Sequence, residues 1–138
     1  YKIEQKLRDD YDFTFIVLEP PRDLLHKRIE QRVDKMFEAG LKKEVDLLIN
    51  QGFGKNSPGM KAIGYQEWFL YDSLEKIKER IIHNSKKYAK KQYTYIRDIP
   101  GSITVDFCAT EEDIKKVCKV ITEHIDQINN FWDNNNTL

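Results

Sequence analysis

Residues 13–18 of the chain read Phe-Thr-Phe-Ile-Val-Leu, a short and nearly unbroken apolar run. Such a run is typical of a β-strand that is buried on both faces, because apolar residues then suit both sides of the sheet. The pair Pro20-Pro21 ends the run. The sequence therefore predicts one short strand that needs neighbours in a sheet.

A helical hairpin is predicted directly after the two prolines. Apolar residues recur at helical spacing as far as Gly40, a residue type that favours helix C-termini. These apolar residues are Leu25, Ile29, Val33, Met36 and Phe37. A second, short helix is predicted over residues 41–51, with Gly52 closing it.

A loop, a long helix, a strand and a last helix are predicted for the remainder. Residues 53–60 are rich in Gly, Ser, Asn and Pro and predict the loop. Ser73 is a favourable N-cap for a helix that runs to Arg97. The inner face of this helix is predicted to consist of Leu74, Ile77, Ile81 and Tyr88. A second short strand is predicted over residues 103–107, and an amphipathic helix over residues 111–132.

The expected fold class is α/β, mostly helical with one or two short strands. The 138 residues suit one domain over residues 1–132. The asparagine-rich end, residues 133–138, is predicted to be a disordered tail. Tyr1 is not an initiator methionine, so we interpret the chain as a part of a longer protein.

Composition gives no general attraction to nucleic acid or membranes, because 23 Lys and Arg balance 23 Asp and Glu. No apolar run approaches the roughly 18 residues of a transmembrane helix, which predicts a cytoplasmic protein without a membrane partner. Cys108 and Cys118 stand ten residues apart without a CxxC motif, and the three histidines are scattered. We therefore assign no metal ligand and no catalytic residue in this chain.

Arg28 and Arg32 are the first candidate site. Their i, i+4 spacing places both guanidinium groups on one face of the predicted helix, with Lys35 one turn further on. Two planar guanidinium groups suit phosphate oxygens, because each can donate two hydrogen bonds in parallel. The alternative is an ordinary solvated face, since Glu30 and Asp34 lie between them and beside them.

The second candidate is the segment Lys61–Gln66, which reads Lys-Ala-Ile-Gly-Tyr-Gln. Gly64 permits the close approach of another backbone or of a ligand, and Tyr65 offers a flat surface with a polar tip. A simple turn with a core tyrosine explains the segment equally well.

The third candidate is the basic end of the long helix, which has no acidic residue between Ser85 and Asp98. Its basic residues are Lys86, Lys87, Lys90, Lys91 and Arg97, interleaved with Tyr88, Tyr93 and Tyr95. Basic groups of this kind bind RNA phosphates, and tyrosines stack on unpaired bases. The lysines could instead simply favour the helix C-terminus and keep it soluble.

In their order and spacing, three segments resemble the tRNA dimethylallyltransferase family, also called tRNA isopentenylpyrophosphate transferases. Residues 28–45 read Arg-Ile-Glu-Gln-Arg-Val-Asp-Lys-Met-Phe-Glu-Ala-Gly-Leu-Lys-Lys-Glu-Val, residues 62–67 Ala-Ile-Gly-Tyr-Gln-Glu, and residues 89–97 Ala-Lys-Lys-Gln-Tyr-Thr-Tyr-Ile-Arg. They are similar to segments of the C-terminal half of that family. Lysine replaces the family's usual arginine at Lys86 and Lys91, and tyrosine replaces tryptophan at Tyr95.

This resemblance implies that the chain is the C-terminal part of a nucleotide-binding, P-loop NTPase-like α/β fold. It further implies transfer of a dimethylallyl group from dimethylallyl diphosphate to N6 of an adenosine next to the tRNA anticodon. The phosphate loop, the general base and the Mg²⁺ site would lie in an N-terminal half that this chain lacks. We therefore expect the chain alone to be inactive, and we expect the protein to be monomeric.

The resemblance also assigns binding residues. The tRNA contacts would be Lys61, Ala62, Ile63, Gly64, Tyr65 and Gln66, together with Lys90, Lys91, Gln92, Tyr93, Thr94, Tyr95, Ile96 and Arg97. For the diphosphate we predict contacts from Arg28, Arg32 and Lys86, with at least one of the two arginines facing the diphosphate channel.

Three alternatives stay open at this point. A strand followed by a helix with two arginines four apart also resembles the lid of small P-loop nucleotide kinases. The amphipathic helices would equally suit a non-catalytic RNA-binding or interaction module. A related enzyme that prenylates free adenine nucleotides shares the same chemistry, but it has no tRNA to hold.

Overall fold

The computed structural model describes residues 13–135 and confirms the α/β fold class, mostly helical with a short two-stranded sheet. In chain order the elements are β1 (Ile16–Glu19), α1 (Arg22–Glu38), α2 (Leu41–Asn50), two 3₁₀ helices (Pro58–Lys61 and Gln66–Phe69), α3 (Leu74–Arg97), β2 (Ile103–Asp106) and α4 (Glu111–Asn135).

The described residues form two compact units. One contains both strands and α4, within residues 13–20 and 97–135, and the other is the helical unit Pro21–Ile96. The single domain expected over residues 1–132 stays a prediction.

In the first unit, β1 and β2 pair in parallel, with Ile16 opposite Ile103 and Glu19 opposite Asp106. Parallel strands need a long crossover connection, and the whole helical unit lies in it. The expectation that the first strand is buried on both faces is wrong for Leu18, which is 43% exposed. Leu18 therefore lies on a face of the sheet that the described residues leave partly uncovered.

A reciprocal cap starts α4. The Asp113 carboxylate accepts hydrogen bonds from the backbone N–H and the hydroxyl of Thr110, while the Thr110 Oγ1 accepts from the Asp113 N–H at 3.1 Å. These bonds from Thr110, together with one from the Cys108 N–H, hold the pKa of Asp113 below its usual value. The helix continues to Asn135, beyond the predicted end at Trp132. Residues 136–138 of the predicted tail lie outside the described residues.

The predicted helical hairpin is confirmed in the second unit. Gly40 has a φ of 99° and lies between α1 and α2, where a left-handed conformation turns the chain. The buried core of this unit consists of Val33, Leu41, Val45, Met60, Ile77 and Ile81.

Helix α3 begins as predicted, because the Ser73 Oγ accepts a hydrogen bond from the Lys76 N–H at 3.2 Å. Only two of the four residues predicted for its inner face are buried. Ile77 and Ile81 are buried, but Leu74 and Tyr88 are 47% and 55% exposed. Ser85 is buried instead, because the packed face advances four residues at a time from Ile77.

Two ion pairs join α1 to α3. Glu30 pairs with Lys86 at 2.6 Å, and Asp34 pairs with Lys78 at 2.7 Å. The residue numbers rise along one helix as they fall along the other, so the two helices run antiparallel. None of the helices in the part of the chain described here is long and apolar enough to cross a membrane.

Candidate functional site

A fully buried carboxylate, that of Glu67, organises the turn at residues 62–67. Its Oε2 accepts a hydrogen bond from the Gly64 backbone N–H at 2.9 Å, and its Oε1 accepts one from the Asn84 side-chain amide at 2.7 Å. A longer bond of 3.4 Å comes from the Gln66 side chain. A buried carboxylate is costly unless donors surround it, so these bonds allow Glu67 to occupy the interior. Through Asn84, Glu67 also ties the turn to α3.

Gly64 has a conformation that other residues rarely adopt, with a φ of 107°. A Cβ at this position would meet the Met36 Cε at 3.6 Å, an ordinary contact distance, so the requirement for glycine is one of backbone conformation rather than of space. The Gly64 carbonyl accepts a hydrogen bond from the Trp68 indole N–H at 2.8 Å. Both backbone polar groups of Gly64 are therefore used inside the turn.

Tyr65 is half-buried, and its hydroxyl donates a hydrogen bond to the Glu44 carboxylate at 2.6 Å. This hydrogen bond, followed by burial and by the negative charge of Glu44, raises the pKa of Tyr65 above its usual value. The ring also contributes to the wall of an apolar cavity of about 410 Å³. The other lining residues are Leu48, Phe53, Ser57, Pro58, Gly59 and Met60.

The remaining residues of the predicted segment divide into inner and outer positions. Ile63 packs against the core and Gln66 bonds to Glu67, whereas Lys61 and Ala62 are exposed. Only part of the segment therefore presents its side chains to solvent.

A groove of about 290 Å³ lies between α1 and α3 and brings Arg28 and Arg32 together. The prediction that both arginines share one helix face is confirmed. Across from them, α3 contributes Ser85, Ala89 and Gln92, and the floor is completed by Leu25 and Ile29. The volume is just below the roughly 300–1,000 Å³ that is typical of small-molecule sites.

Lys86 does not line this groove with the two arginines. It pairs with Glu30 at 2.6 Å, and its side chain is only 29% exposed. Its predicted contact with diphosphate would require that pair to open.

The C-terminal part of α3 has a different character. Lys87, Lys90 and Lys91 are exposed, and none of them has an ion-pairing carboxylate among the residues described. Tyr95 is 70% exposed, and Arg97 lies 3.9 Å from Asp98, the limit of an ion pair. Tyr93 and Ile96 are half-buried, whereas Gln92 and Thr94 are exposed.

The predicted residues thus fall into three places, and all of them except Arg97 belong to the helical unit. The structure brings Arg28, Arg32 and Gln92 to one groove. Within residues 13–135, no hydrogen bond or ion pair joins residues 61–66 to residues 90–97. Their connection is indirect and runs through Glu67 and Asn84.

Sequence reasoning missed Glu67, Asn84 and Ser85. Gly64 and Glu67 have the spacing of a capping box, but Gly64 lacks the Ser or Thr side chain that marks this motif in a sequence. No comparable local signal marks Asn84 or Ser85, since their partners are defined only by tertiary packing.

Metal ligation is not a property of the residues described. In the range 13–135, no three His, Cys, Asp or Glu side chains lie close enough together to hold a metal ion. These residues therefore do not provide the set of ligands that a Mg²⁺ site needs.

Comparison with known proteins gives concordant matches. The family model described as IPP transferase matches residues 1–99. The tRNA dimethylallyltransferase of Ligilactobacillus salivarius is 36% identical over 121 residues, which cover 85% of this chain and 39% of that protein. The tRNA dimethylallyltransferase of Bacillus pumilus is 40% identical over 92 residues, which cover 64% of this chain and 29% of that protein.

Solved structures agree with the sequence matches. The full-length tRNA isopentenylpyrophosphate transferase of Bacillus halodurans matches with a TM-score of 0.78 and 28% identity, covering 90% of this chain and 43% of that one. A tRNA isopentenylpyrophosphate transferase of Staphylococcus epidermidis matches with a TM-score of 0.70 and 32% identity, covering 86% of this chain and 39% of that one. The chain spans about two fifths of the length of the first curated relatives it matches.

Proposed function

The chain belongs to the IPP transferase family, and on that premise we propose that the full-length protein carrying it is a tRNA dimethylallyltransferase. The substrates are dimethylallyl diphosphate and an adenosine next to the anticodon of tRNA. The bond between C1 of the prenyl group and the diphosphate oxygen breaks, a bond from C1 to the adenine N6 forms, and N6 gives up a proton. The relatives that carry this activity in their names support the proposal.

The proposed role of this chain in the reaction is supported by one observation, that Arg28 and Arg32 line the same groove. The leaving diphosphate gains negative charge as the C1–O bond breaks, and fixed positive charge stabilises that change without reorganisation. Guanidinium groups suit this role because they stay protonated and donate paired hydrogen bonds to phosphate oxygens. The groove therefore serves as a wall of the diphosphate site.

Recognition of tRNA is assigned to the exposed surface of α3 and to the outer residues of the turn. Exposed lysines at positions 87, 90 and 91 suit phosphate contacts, and the exposed ring of Tyr95 suits stacking on an unpaired base. The target adenine has to leave its stack to react, so a stacking surface beside phosphate contacts supports an opened anticodon loop.

The phosphate loop, the general base and the Mg²⁺ ligands are proposed to come from sequence outside this chain, in the part that its relatives have in addition. Mg²⁺, when bound there, would neutralise charge on the diphosphate. We propose that the chain alone is inactive for this reason, and that the full-length protein works as a monomer in the cytoplasm.

The test is a transfer assay with the full-length protein, an anticodon stem-loop and dimethylallyl diphosphate. Arg28→Ala and Arg32→Ala should each lower the transfer rate about 100-fold, the usual effect of losing one group that stabilises charge in the transition state. Arg22→Ala is the matched control, because Arg22 lies on the same helix but outside the groove. A loss within about twofold for both groove variants would remove the electrostatic role, and no transfer by the wild type would remove the function itself.

A further inference from the structure

Ser85 is buried in α3 without a hydrogen-bond partner. It is 7% exposed, and its Oγ is one of two buried side-chain polar atoms without a partner among the residues described, the other being the Arg80 Nε. A helical serine ordinarily satisfies its hydroxyl on the carbonyl four residues earlier. Thr122 in α4 does the equivalent, since its hydroxyl donates to the Cys118 carbonyl at 2.9 Å. A native buried hydroxyl with no partner calls for a physical explanation.

The position of Ser85 supplies one, because the residue lines the same groove as Arg28 and Arg32. The arginines stand on α1 and Ser85 stands on α3, so an anion in the groove meets positive charge on one side and the serine on the other. Among the residues of the described range that line the groove there is no carboxylate and no histidine. The hydroxyl therefore has no base beside it that could make it a nucleophile, and its available chemistry is hydrogen-bond donation.

We propose that the Ser85 hydroxyl is a further ligand of the prenyl diphosphate and donates a hydrogen bond to a non-bridging diphosphate oxygen. This inference rests on the proposed function and adds a neutral, directional donor to the charge supplied by Arg28 and Arg32. The Oγ is buried in the free protein, so the Ser85 side chain rotates toward the groove to donate, and the diphosphate oxygen then supplies the acceptor that the hydroxyl lacks. The unpaired hydroxyl lowers the stability of the free protein, and this destabilisation ends when the diphosphate binds.

The effects of Ser85 on function and on stability can therefore be separated. Deleting a side chain that joins two parts of the protein lowers both stability and activity. Removing an unsatisfied buried hydroxyl should leave the fold unchanged or slightly more stable. Removing a substrate ligand should weaken substrate binding. Ser85→Ala is therefore expected to keep or raise the melting temperature while it lowers affinity for the prenyl diphosphate.

The experiment uses the full-length protein and measures three quantities for the wild type, Ser85→Ala and Ser85→Thr. These are the KM for dimethylallyl diphosphate, the KM for the anticodon stem-loop and the inhibition constant of inorganic diphosphate. For Ser85→Ala, the first and third should rise at least about tenfold, as expected for a lost hydrogen bond to a charged group, while the KM for the stem-loop stays within about twofold. Ser85→Thr keeps the hydroxyl and should recover most of the loss.

Thr122→Ala is the matched control, because it deletes a helix hydroxyl that is already satisfied and lies outside the groove. It should leave all three constants unchanged. If the wild type transfers the prenyl group but Ser85→Ala keeps both diphosphate constants within about twofold, the ligand role is wrong and the proposed function stands. A fall of several degrees in the melting temperature of Ser85→Ala would also overturn it, since the hydroxyl would then be structural. Absence of transfer by the wild type would instead overturn the proposed function.

Discussion

The turn at residues 62–67 and the C-terminal part of α3 both match family segments and were both predicted to contact tRNA, yet their polar groups are used differently. In the turn, the Gly64 N–H, the Tyr65 hydroxyl and the Glu67 carboxylate are all engaged inside the protein. In α3, Lys87, Lys90 and Lys91 are exposed. Hydrogen bonds within the protein therefore hold the shape of the turn, whereas the positive charges of the helix face solvent.

A sequence motif thus identifies a region, but it does not show which of its residues hold the backbone and which face solvent. In one segment most of the characteristic residues hold the backbone, and in the other most of them face solvent. Substitutions in the turn should therefore change the free energy of unfolding first, and substitutions on the helix should change RNA binding first.

The largest effect on stability is expected for Glu67→Leu. The substitution leaves the Gly64 N–H and the Asn84 amide buried without their acceptor, and each unpaired group costs about 1–3 kcal/mol. We expect a total loss of about 3 kcal/mol in the free energy of unfolding, measured by urea denaturation followed by circular dichroism.

Glu67→Gln is the matched variant for this prediction, because it keeps the side-chain shape and one acceptor oxygen. It should lose about half as much, since one of the two short bonds can persist. Equal stability of Glu67→Leu and the wild type would show that the turn does not depend on its buried carboxylate.

Gly64→Ala is expected to have the next largest effect, about 2 kcal/mol, because a residue with a Cβ is strained at a φ of 107°. Gly59→Ala serves as the control. Gly59 has no positive φ, and a Cβ there would meet nothing within 4 Å, so this variant should be neutral or slightly stabilising. Similar urea midpoints for the two variants would contradict the conformational argument.

Tyr65→Phe should cost less, about 0.5–1 kcal/mol, because the lost hydrogen bond ends on an exposed carboxylate. The effect has a defined pH dependence. The pKa of Tyr65 is raised in the folded protein, so the folded state holds the phenolic proton more tightly than the unfolded chain does. This stabilisation is complete below about pH 10, the pKa of an unperturbed tyrosine, and disappears as the pH rises through the higher folded value.

Melting curves of the wild type and Tyr65→Phe between pH 7 and pH 11 test this sign. The gap between the two proteins should be constant at neutral pH and should narrow at the alkaline end. A gap that widens with pH would mean that the ionised phenolate is the favoured form, contrary to its hydrogen bond with Glu44.

Much of the fold was predictable because local signals mark its boundaries. Gly40 separates α1 from α2, Ser73 caps α3, and the apolar spacing of Ile77 and Ile81 identifies a buried face. The prediction that Tyr88 is buried was wrong. Periodicity gives the direction of a helix face, but it does not give the position at which the packing partner of that face ends. The parallel pairing of β1 with β2 depends on residues far apart in sequence, and no local pattern contains it.

The candidate site was predictable to a similar extent. The i, i+4 spacing of Arg28 and Arg32 was enough to place both on one helix face, and the structure puts both in one groove. The residue across the groove, Ser85, could not be found in this way, because its importance comes from a missing hydrogen bond and from the approach of another helix. The ion pair of Lys86 with Glu30 likewise joins side chains 56 residues apart.

The smallest effect on stability is expected on α3, for the triple variant in which Lys87, Lys90 and Lys91 are replaced by Gln. Since none of the three has an ion-pairing carboxylate among the residues described, the free energy of unfolding should change by no more than about 0.5 kcal/mol. Binding of an anticodon stem-loop by the full-length protein should nevertheless weaken. Each lost phosphate contact in a single-stranded loop should reduce the slope of log affinity against log salt by about 0.7.

The salt titration separates this surface from a merely solubilising one. Three lost contacts would reduce the slope by about 2, while three lysines that only keep the helix in solution would leave it unchanged. Lys115→Gln is a suitable single control, because Lys115 is an exposed lysine on α4, outside the segments assigned to tRNA. If the triple variant kept the wild-type slope, the three lysines would not contact RNA phosphates, and the predicted difference between the turn and the helix would be wrong for the helix.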